Sequence, residues 1–532
     1  MSKPLLNSLD ALRFDHAFVE RLPADPRQDN RRRQVRGACY SLVEPTSVRE
    51  PRLVACSRAM MERLDLDPAL CGSDDFVEIF SGNRLLDGMK PHAMCYGGHQ
   101  FGHWAGQLGD GRAIVLGDVI NRAGERWSLQ LKGAGPTPYS RTADGLAVLR
   151  SSLREFVCSE AMHALGVPTT RALSLVLTGE QVLRDMFYDG NPRHEPGAVV
   201  CRVAPSFIRF GNFQILTAQR DEKTLRQLMD YCIETHDADL GPPDPSAYVR
   251  WFERVCERSC EMVVHWMRVG FVHGVMNTDN MSIHGLTIDY GPYGFLEPYD
   301  EDWTPNTTDA QGRRYRFGNQ SKIVLWNLLQ LAEAIYPLVG DARPLEDALQ
   351  NFHDDYARRW RAMMARKLGF EDWTPQLEPL IEALPGLLKR VETDWTLFWR
   401  CLARLEEDDK ALTDEGLRSL FAPAWYRAED ISGEYLQQLR HWLEAYLSAA
   451  RELDASRRRS LMNRTNPLYV FRNYLAQEAI DLAEQGDFSR VHELLEVLAR
   501  PYEEQPGKAH FAGRRPEWAR QRAGCSMLSC SS

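Results

Sequence analysis

The sequence predicts an α+β protein with a bilobal fold, an N-terminal extension and a helical C-terminal region. Short β-type segments separated by glycine-rich turns fill much of residues 96–203. After about residue 222, apolar side chains recur at the three- to four-residue spacing of amphipathic helices. The length of 532 residues adds an expectation of about three folding units.

Residues 1–90 form the predicted N-terminal extension, in which prolines and a run of three arginines indicate short helices and loops. Residues 91–220 form the predicted β-rich lobe. One helix, 148–165, interrupts this lobe, since its apolar pattern runs until Gly166 and Pro168 end it. The predicted strands are 113–116, 127–131, 172–177, 182–184 and 198–203.

The helical patterns divide into a second lobe, 221–340, and a C-terminal region, 341–532, whose tail carries two cysteines. A Gly- and Asn-rich stretch, 271–295, interrupts them with strand-like pieces at 281–283 and 286–288. A β-rich lobe before a helical lobe with such a polar loop is the order of a protein-kinase-like fold. The predicted helices are 225–235, 248–269, 323–335, 344–368, 377–404, 435–453, 468–484 and 489–502.

Composition and charge exclude several classes of protein. The chain carries 64 Lys and Arg against 74 Asp and Glu, a net charge of −10, which predicts no nucleic-acid partner and no binding to acidic membranes through bulk charge. The sequence has no run of about 18 apolar residues and no apolar signal-peptide core at its start. We therefore expect a cytoplasmic protein that holds any anionic ligand through local groups.

The twelve cysteines are scattered and form no CxxC pair, a pattern that disfavours both a disulfide scaffold and a zinc site. Cys256 and Cys260 lie one helical turn apart beside His265, but their apolar neighbours indicate buried core. The small, polar residues 526–532 predict a mobile tail. Cys525 and Cys530 would then be accessible thiols and redox candidates.

Lys132 is the first candidate site residue. Residues 127–132 alternate apolar and polar side chains, so a half-buried strand would turn Lys132 away from the apolar face. Kinases hold ATP phosphates with a strand lysine paired to an acid on the next helix, and Glu155 is the acid that the spacing offers. The alternative is a solvated surface pair.

Glycines and arginines supply further candidates for phosphate binding. Gly109 and Gly111 flank Asp110 in a glycine-dense stretch that would let backbone N–H groups approach phosphate, and Arg112 adds a positive charge. The alternative is a tight turn. Arg202 and Arg209 each have apolar neighbours, and a partly buried arginine needs an anion.

The strongest local signal lies within the polar loop. Residues 273–280, HGVMNTDN, match the form HGDxxxxN of a phosphotransferase loop, and Asp289-Tyr-Gly stands where a metal-binding DFG would stand. Val275 occupies the position of the catalytic aspartate, which excludes kinase chemistry with that base. Asn280 and Asp289 offer oxygen ligands for Mg²⁺, and Asp279 is a carboxylate beside them. The alternative is a loop in which Asn and Asp only form turns.

Together these motifs make the sequence similar to the selenoprotein O family, which are protein adenylyltransferases (AMPylases) with a pseudokinase fold. The resemblance spans most of the chain. It rests on GGHQFG at 97–102, QLGDGR at 107–112, LKGAGPTPYSR at 131–141, LRSSLREF at 149–156, VAPSFIRFG at 203–211, HGVMNTDNMSI at 273–283, NPLYVFRN at 466–473 and CSS at 530–532.

The resemblance implies that ATP is bound in an orientation inverted relative to kinases, with its α-phosphate facing a Ser, Thr or Tyr hydroxyl of a protein substrate. It implies Asp279 as the proton acceptor, Glu155 as the partner that orients Lys132, and Asn280 and Asp289 as ligands of Mg²⁺ or Mn²⁺. The implied nucleotide-binding residues are Gly109, Gly111, Arg112, Lys132, Asp144, Gly145, Arg202, Arg209 and Asp289.

The sequence departs from the family in one respect. Members carry a C-terminal cysteine or selenocysteine proposed to pair with a cysteine in the segment after the metal-binding aspartate, yet residues 299–306 contain no cysteine. Cys530 therefore lacks that partner, and a local pair with Cys525 remains open.

Three alternatives to AMP transfer stay open from the sequence. No identified residue reads the edge of the base, so the chain could transfer UMP from UTP to protein. It could also be a nucleotide-binding pseudokinase scaffold without catalysis. A kinase acting on small molecules is the least favoured alternative, because Val275 removes its base.

Overall fold

The computed structural model describes residues 4–405 and 412–529. Within these residues, sixteen α-helices and twelve β-strands form a mixed α/β protein. The strands are β1 (Phe14–Asp15), β2 (Tyr40–Leu42), β3 (Arg52–Cys56), β4 (His92–Met94), β5 (Gly97–Gln100), β6 (His103–Gln107), β7 (Ala113–Ile120), β8 (Arg126–Lys132), β9 (Arg171–Arg184), β10 (Arg193–Ala204), β11 (Phe271–Val272) and β12 (Gly294–Phe295).

The helices account for most of the second half of the chain. They are α1 (Ala17–Arg21), α2 (Arg58–Arg63), α3 (Asp74–Ser81), α4 (Leu149–Ala164), α5 (Phe210–Ala218), α6 (Glu222–His236), α7 (Pro245–Val269), α8 (Gln320–Val339), α9 (Arg343–Lys367), α10 (Glu378–Arg390), α11 (Trp395–Leu402), α12 (Asp414–Phe421), α13 (Gly433–Ala450), α14 (Ala455–Thr465), α15 (Asn473–Ala483) and α16 (Ser489–Leu498).

An eight-stranded antiparallel sheet is the centre of the N-terminal half. Its strands follow the order β2-β4-β7-β8-β10-β9-β3, and β1 pairs with β7. Strand β8 lies between β7 and β10, and the register places Lys132 opposite Val200 and Gln130 opposite Arg202. Both faces of β8 are covered, so Lys132 is buried rather than on the half-exposed strand that the alternation predicts.

Three strands of the sheet come from the first 90 residues, for which the sequence predicts only short helices and loops. These strands are two to five residues long, too short for a clear alternating pattern, and they form by pairing with longer strands. The glycine-dense stretch before β7 also differs from the expected loop, because most of it forms the β5–β6 hairpin.

The helices pack around this sheet and around α7. Helix α4 covers β9 and β10, and α15 and α16 pack in turn on α4. Helix α7 packs against α8 and α9, and it leads through β11 into the polar loop that starts at His273. The C-terminal helices are thus joined to the β-rich half through α4.

Several predicted elements need correction. The region 377–404 holds two helices rather than one, because the Asp394 side chain accepts a hydrogen bond from Leu397 N and so starts α11 after a break. The pieces 281–283 and 286–288 make only isolated bridges to Arg209 and Thr169. Residues 468–472 are non-helical, so α15 begins five residues later than predicted. Helices α5, α12 and α14 were not predicted.

The C-terminal tail differs from expectation over its described part. Leu528 is buried, its N–H donates to Pro305 O at 3.2 Å, and its carbonyl accepts from Thr307 N at 2.8 Å. Cys525 is buried as well, and burial raises the pKa of its thiol to about 12, so it is not an accessible thiol. Cys530 lies outside the described residues, and its pairing stays a prediction.

Two further pairs of cysteines can be compared with the sequence analysis. Cys256 and Cys260 are buried, as the helical pattern predicts. Cys56, in β3, is bonded to Cys71, a pair that the sequence analysis did not identify.

The segment Phe317–Val339, which includes α8, is long and apolar enough to cross a membrane by length and composition alone. The segment contains polar and charged residues such as Lys322 and Glu333, so the sequence still has no run of about 18 apolar residues. However, 56% of its most apolar window is buried inside the protein, and α8 packs against α5, α7 and α9. We therefore interpret α8 as a core helix.

Candidate functional site

A cleft of about 770 Å³ opens beside the central sheet. Ten of the twelve candidate residues line it, and Glu155 and Arg209 lie behind its wall, each in contact with lining residues. The ten are Gly109, Gly111, Arg112, Lys132, Asp144, Gly145, Arg202, Asp279, Asn280 and Asp289.

Lys132 and Glu155 form the ion pair that the sequence predicts. Lys132 ends β8 and Glu155 lies in α4, and their Nζ and Oε2 atoms are 2.6 Å apart. Both side chains are buried, with 11% and 3% of their surfaces exposed. Burial lowers the pKa of Lys132, although the Glu155 charge opposes the shift. This pair is no solvated surface contact.

Three cations converge on the carboxylate of Asp289. Arg209 Nη1 lies 2.5 Å from Asp289 Oδ2, Arg202 donates to Oδ1, and Lys132 Nζ is 3.7 Å from Oδ1. Arg202 also bonds Glu155 Oε1 at 3.0 Å. The anion that two buried arginines require is therefore supplied by the protein itself.

The charge state of Asp289 follows from this arrangement. Burial raises the pKa of Asp289, but Arg209, Arg202 and Lys132 together outweigh burial and hold the pKa well below its ordinary value. Asp289 also adopts a backbone φ of +56°, the left-handed region that a non-glycine residue rarely occupies. The surrounding contacts thus hold an ionised carboxylate at the edge of the cleft in an uncommon backbone conformation.

Asp279 is in a different environment from Asp289. Its Oδ2 accepts from Gln100 Nε2 at 3.3 Å, whereas Oδ1 is buried and has no hydrogen-bond partner among the described residues. Burial raises the pKa of Asp279 to about 6. A buried, unsatisfied carboxylate oxygen in a cleft is typical of a group with a catalytic role.

The β5–β6 hairpin creates this environment. His99 N donates to Thr278 Oγ1 at 2.7 Å and Phe101 N donates to Asn277 Oδ1 at 3.1 Å, so the hairpin lies over the loop that carries Asp279. A Cβ atom at Gly98 would come within 2.7 Å of Asp279 Oδ1. Glycine at this position is therefore required for close packing.

Asn280 is oriented by its neighbour in the same loop. Its Nδ2 donates to Val275 O at 2.9 Å, which leaves the side-chain oxygen available as an acceptor. Among residues 4–405 and 412–529, no group of three or more His, Cys, Asp or Glu side chains could hold a metal ion by itself. Asn280 and Asp289 can contribute two oxygen ligands, and any further ligands would come from water or substrate.

Two glycine-containing loops also line the cleft. Gly109 has a φ of +75°, and a Cβ there would lie 2.4 Å from the Tyr139 ring. Gly145 has a φ of +79°, and a Cβ there would lie 2.3 Å from the Gly135 carbonyl carbon. Both glycines are needed for close packing, and for Gly109 this is the turn role that the sequence left open. Both also line the cleft.

Asp144 and Arg112 line the cleft as well, and only Asp144 has an ion-pair partner among the described residues. Asp144 is paired with Arg184 through contacts of 2.7 and 2.9 Å, and 46% of its side chain is exposed. Among the described residues, the Arg112 guanidinium has no hydrogen bond or ion pair. Arg112 is thus a cation free to meet an anion.

Sequence reasoning missed some residues that shape the site. Gln100 donates a hydrogen bond to Asp279, and Asp110 Oδ1 lies 4.0 Å from Arg209 Nη2. The Tyr96 ring packs against the Arg209 guanidinium, with 4.6 Å between the guanidinium carbon and the ring centre. Arg184 pairs with Asp144. Asp110 and Arg184 carried a usable signal, because one is a charged residue within a glycine turn and the other ends a predicted strand. Gln100 belongs to the GGHQFG motif, which did not indicate a contact with Asp279, and Tyr96 had no such signal.

The chain is similar over nearly its whole length to proteins that are named as nucleotidyltransferases. The family model described as "Protein adenylyltransferase SelO" matches residues 28–499. A relative from Azoarcus sp. (strain BH72), "Protein nucleotidyltransferase YdiU", is 58% identical over 530 residues, covering 98% of this chain and 99% of the relative. Relatives with the same name are 56% identical in Rhodopirellula baltica and 54% in Methylobacillus flagellatus, each over 98% of this chain and 99% and 100% of the relative.

Proposed function

Because the chain belongs to the SelO family of protein adenylyltransferases and is therefore a nucleotidyltransferase, we propose that it transfers AMP from ATP to Ser, Thr or Tyr hydroxyls of protein substrates. The observation that carries this proposal is the pair of carboxylates in the cleft. Asp289 is ionised and surrounded by cations, whereas Asp279 has a raised pKa and an unpartnered oxygen.

We assign the β-rich half and α7 with its following loop to a protein-kinase-like fold. The Lys132–Glu155 pair between β8 and α4, and the loop of residues 273–291 at the same cleft, support this assignment. Val275 stands in the loop where a kinase has its base, so the reaction at this cleft is not phosphoryl transfer by that residue.

The buried cations support an inverted nucleotide. As whole residues, Lys132, Arg202 and Arg209 are 9%, 2% and 1% exposed, so three cations lie buried at the cleft, where Glu155 and Asp289 now pair with them. The most highly charged end of ATP, its γ-phosphate, is attracted there. Arg202 Nε and Arg209 Nη2 are buried donors without a hydrogen-bond partner among the described residues, and phosphate oxygens would satisfy them.

Asn280 and Asp289 fit a divalent cation. Both present oxygen, the ligand that Mg²⁺ prefers, and Mg²⁺ usually takes only one or two protein carboxylates besides water and substrate phosphate. Mn²⁺ accepts the same donors. When bound, the ion would neutralise phosphate charge and so favour attack on phosphorus. Arg202 and Arg209, which now bond Asp289, would turn their N–H groups to phosphate oxygens.

Asp279 then serves as the base. The substrate hydroxyl oxygen forms a bond to the α-phosphorus, the bond from that phosphorus to the oxygen bridging to the β-phosphate breaks, and pyrophosphate leaves. The hydroxyl proton passes to the Asp279 carboxylate, whose Oδ1 accepts from no donor among the described residues. General-base assistance of this kind contributes about 10²- to 10⁴-fold to a rate.

Labelled nucleotides test the proposal directly. We expect ATP labelled at the α-phosphate to label protein substrates in the presence of Mg²⁺, and ATP labelled at the γ-phosphate to leave them unlabelled. Label from the γ-position would identify a kinase and overturn the proposal. UTP labelled at the α-phosphate, used in competition with ATP, decides between AMP and UMP, because relatives are named nucleotidyltransferases without a stated base.

The raised pKa of Asp279 predicts the pH dependence of transfer. The carboxylate is the active form of the base, and burial raises its pKa to about 6. The rate should therefore rise with pH by about tenfold per unit below pH 6 and level off above it. A pH profile of kcat/KM measures this limb. A profile that is flat between pH 5 and 7 would contradict the assignment of Asp279 as the base.

A further inference from the structure

A second cleft, which we call the arginine cleft, lies at the C-terminal ends of α4, α7, α9 and α14. Its volume is about 510 Å³, and it shares no lining residue with the cleft described above. Its charged and polar lining residues are Glu261, His265, Arg268, Arg358, Arg359, Arg366, Arg464, Thr465 and Tyr502.

Positive charge in the arginine cleft is only partly compensated. Five arginines line it, against the single carboxylate of Glu261 among the described lining residues. Arg358 and Arg359 share one acid outside the lining, Asp355. Arg268, Arg366 and Arg464 form no ion pair within residues 4–405 and 412–529. Clustered arginines without carboxylates repel one another and favour a bound anion.

Arg268 is fixed in place by neutral acceptors. Its Nη2 donates to Leu165 O at 2.6 Å, its Nη1 to Tyr502 OH at 2.5 Å and Thr465 O at 3.2 Å, and its Nε to His265 Nδ1 at 3.1 Å. Since His265 Nδ1 accepts, the proton of the neutral ring is on Nε2, which adds another donor. The cleft thus has a preorganised cation at its base and exposed arginines, Arg366 and Arg464, at its rim.

The remaining lining suits the body of a small organic ligand. Ala164, Leu165, Val264, Ala362 and Met363 supply apolar surface between the arginines. The volume falls within the range of about 300–1,000 Å³ that is typical of small-molecule sites. Guanidinium groups match phosphate oxygens in bidentate geometry, which favours phosphate over a single carboxylate as the anionic group.

We propose that the arginine cleft is a second ligand site, which binds a phosphorylated small molecule of nucleotide size through its phosphate groups. Arg366 and Arg464 at the rim and Arg268 at the base hold the phosphates, and the apolar surface holds the rest of the ligand. This site is independent of the proposed transfer reaction, since none of its residues lines the cleft that contains Asp279.

Equilibrium binding of labelled ADP to the full-length protein, with Mg²⁺ present, tests this proposal. We expect two equivalents of ADP to bind to the wild type and one to the variant Arg366→Glu/Arg464→Glu. In that variant the affinity of the arginine cleft for ADP should fall at least about tenfold, because the two substitutions together change the net charge by four units. Both arginines are exposed, so the substitutions leave the fold intact. Arg343→Glu, an exposed site at the other end of α9, is the matched control and should keep both equivalents.

Two further arms identify the site and the ligand. The Lys132→Met variant should lose the ADP bound in the cleft that contains Asp279 and keep the ADP bound in the arginine cleft. The two variants therefore test the two ADP sites separately. Pyrophosphate should displace the ADP bound in the arginine cleft, which is the ADP that the variant Arg366→Glu/Arg464→Glu does not bind. A single equivalent in the wild type, or two in that double variant, overturns the proposal. Displacement by a polyglutamate decapeptide at lower concentration than pyrophosphate also overturns it, in favour of an acidic polypeptide.

Discussion

Replacing Asp279 with asparagine should lower the rate of nucleotidyl transfer by about 10²- to 10⁴-fold, the usual contribution of a general base. Asparagine has nearly the same size and can still bond Gln100, which lies 3.3 Å from the carboxylate. It cannot accept a proton at neutral pH. The change should therefore lower kcat and leave the dissociation constant for ATP within about threefold of the wild-type value.

The measurements are the transfer rate with α-labelled ATP and the affinity for ATP, on the same preparations. Asp347→Asn, which removes the same charge at an exposed position of α9, is the matched control and should behave as wild type. An Asp279→Asn protein that transfers AMP at the wild-type rate would show that another group takes the proton. A wild-type protein that binds ATP without any transfer would instead favour the scaffold alternative.

Replacing Arg472 with methionine should destabilise the protein by about 3–5 kcal/mol, the usual cost of leaving a buried charge without its partner. Arg472 Nη1 and Nη2 bond the two oxygens of Asp394 at 2.8 and 2.9 Å, and the two side chains are 2% and 0% exposed. The pair joins the start of α15 to the start of α11. This contact gives Arg472 a structural role outside the cleft.

Urea unfolding measures the effect, as a lower midpoint and a lower free energy of unfolding. The variant Arg472→Met/Asp394→Leu removes both charges and should be more stable than Arg472→Met alone, although it loses the cap of α11, worth about 1 kcal/mol. Arg390→Met breaks an ion pair with Glu434 whose partners are 43% and 68% exposed, and it should cost less than about 1 kcal/mol. Equal losses in all three variants would contradict the role of burial.

Much of the fold was accessible from local patterns. Strands β7 to β10 and helices α4, α6, α7, α8 and α9 carry the alternation or the helical spacing of their type over many residues, and the structure contains them. The break between α10 and α11 was not accessible, because apolar spacing continues across it. The break depends on Asp394, which caps α11 and meets an arginine 78 residues away.

The candidate site likewise combines residues that the sequence identifies with features that only the structure shows. Lys132, Glu155, Asp279, Asn280 and Asp289 could be identified because each belongs to a motif with a known chemical requirement. The β5–β6 hairpin could not, since its strands form by pairing with each other over the loop that carries Asp279. Burial by that hairpin contributes to the raised pKa of Asp279, so the motif alone does not show which aspartate can act as a base.

The sequence by itself determined which residue types are available for chemistry and in what order, including the absence of a base at Val275 and the presence of enough arginines to hold phosphate. It also showed that the net charge of −10 hides local positive charge. Tertiary structure alone decided the charge states, because pKa depends on burial and on neighbours brought from distant parts of the chain. Arg202 and Arg209 meet Asp289 from 87 and 80 residues away, and the arginine cleft gathers four separate helix ends.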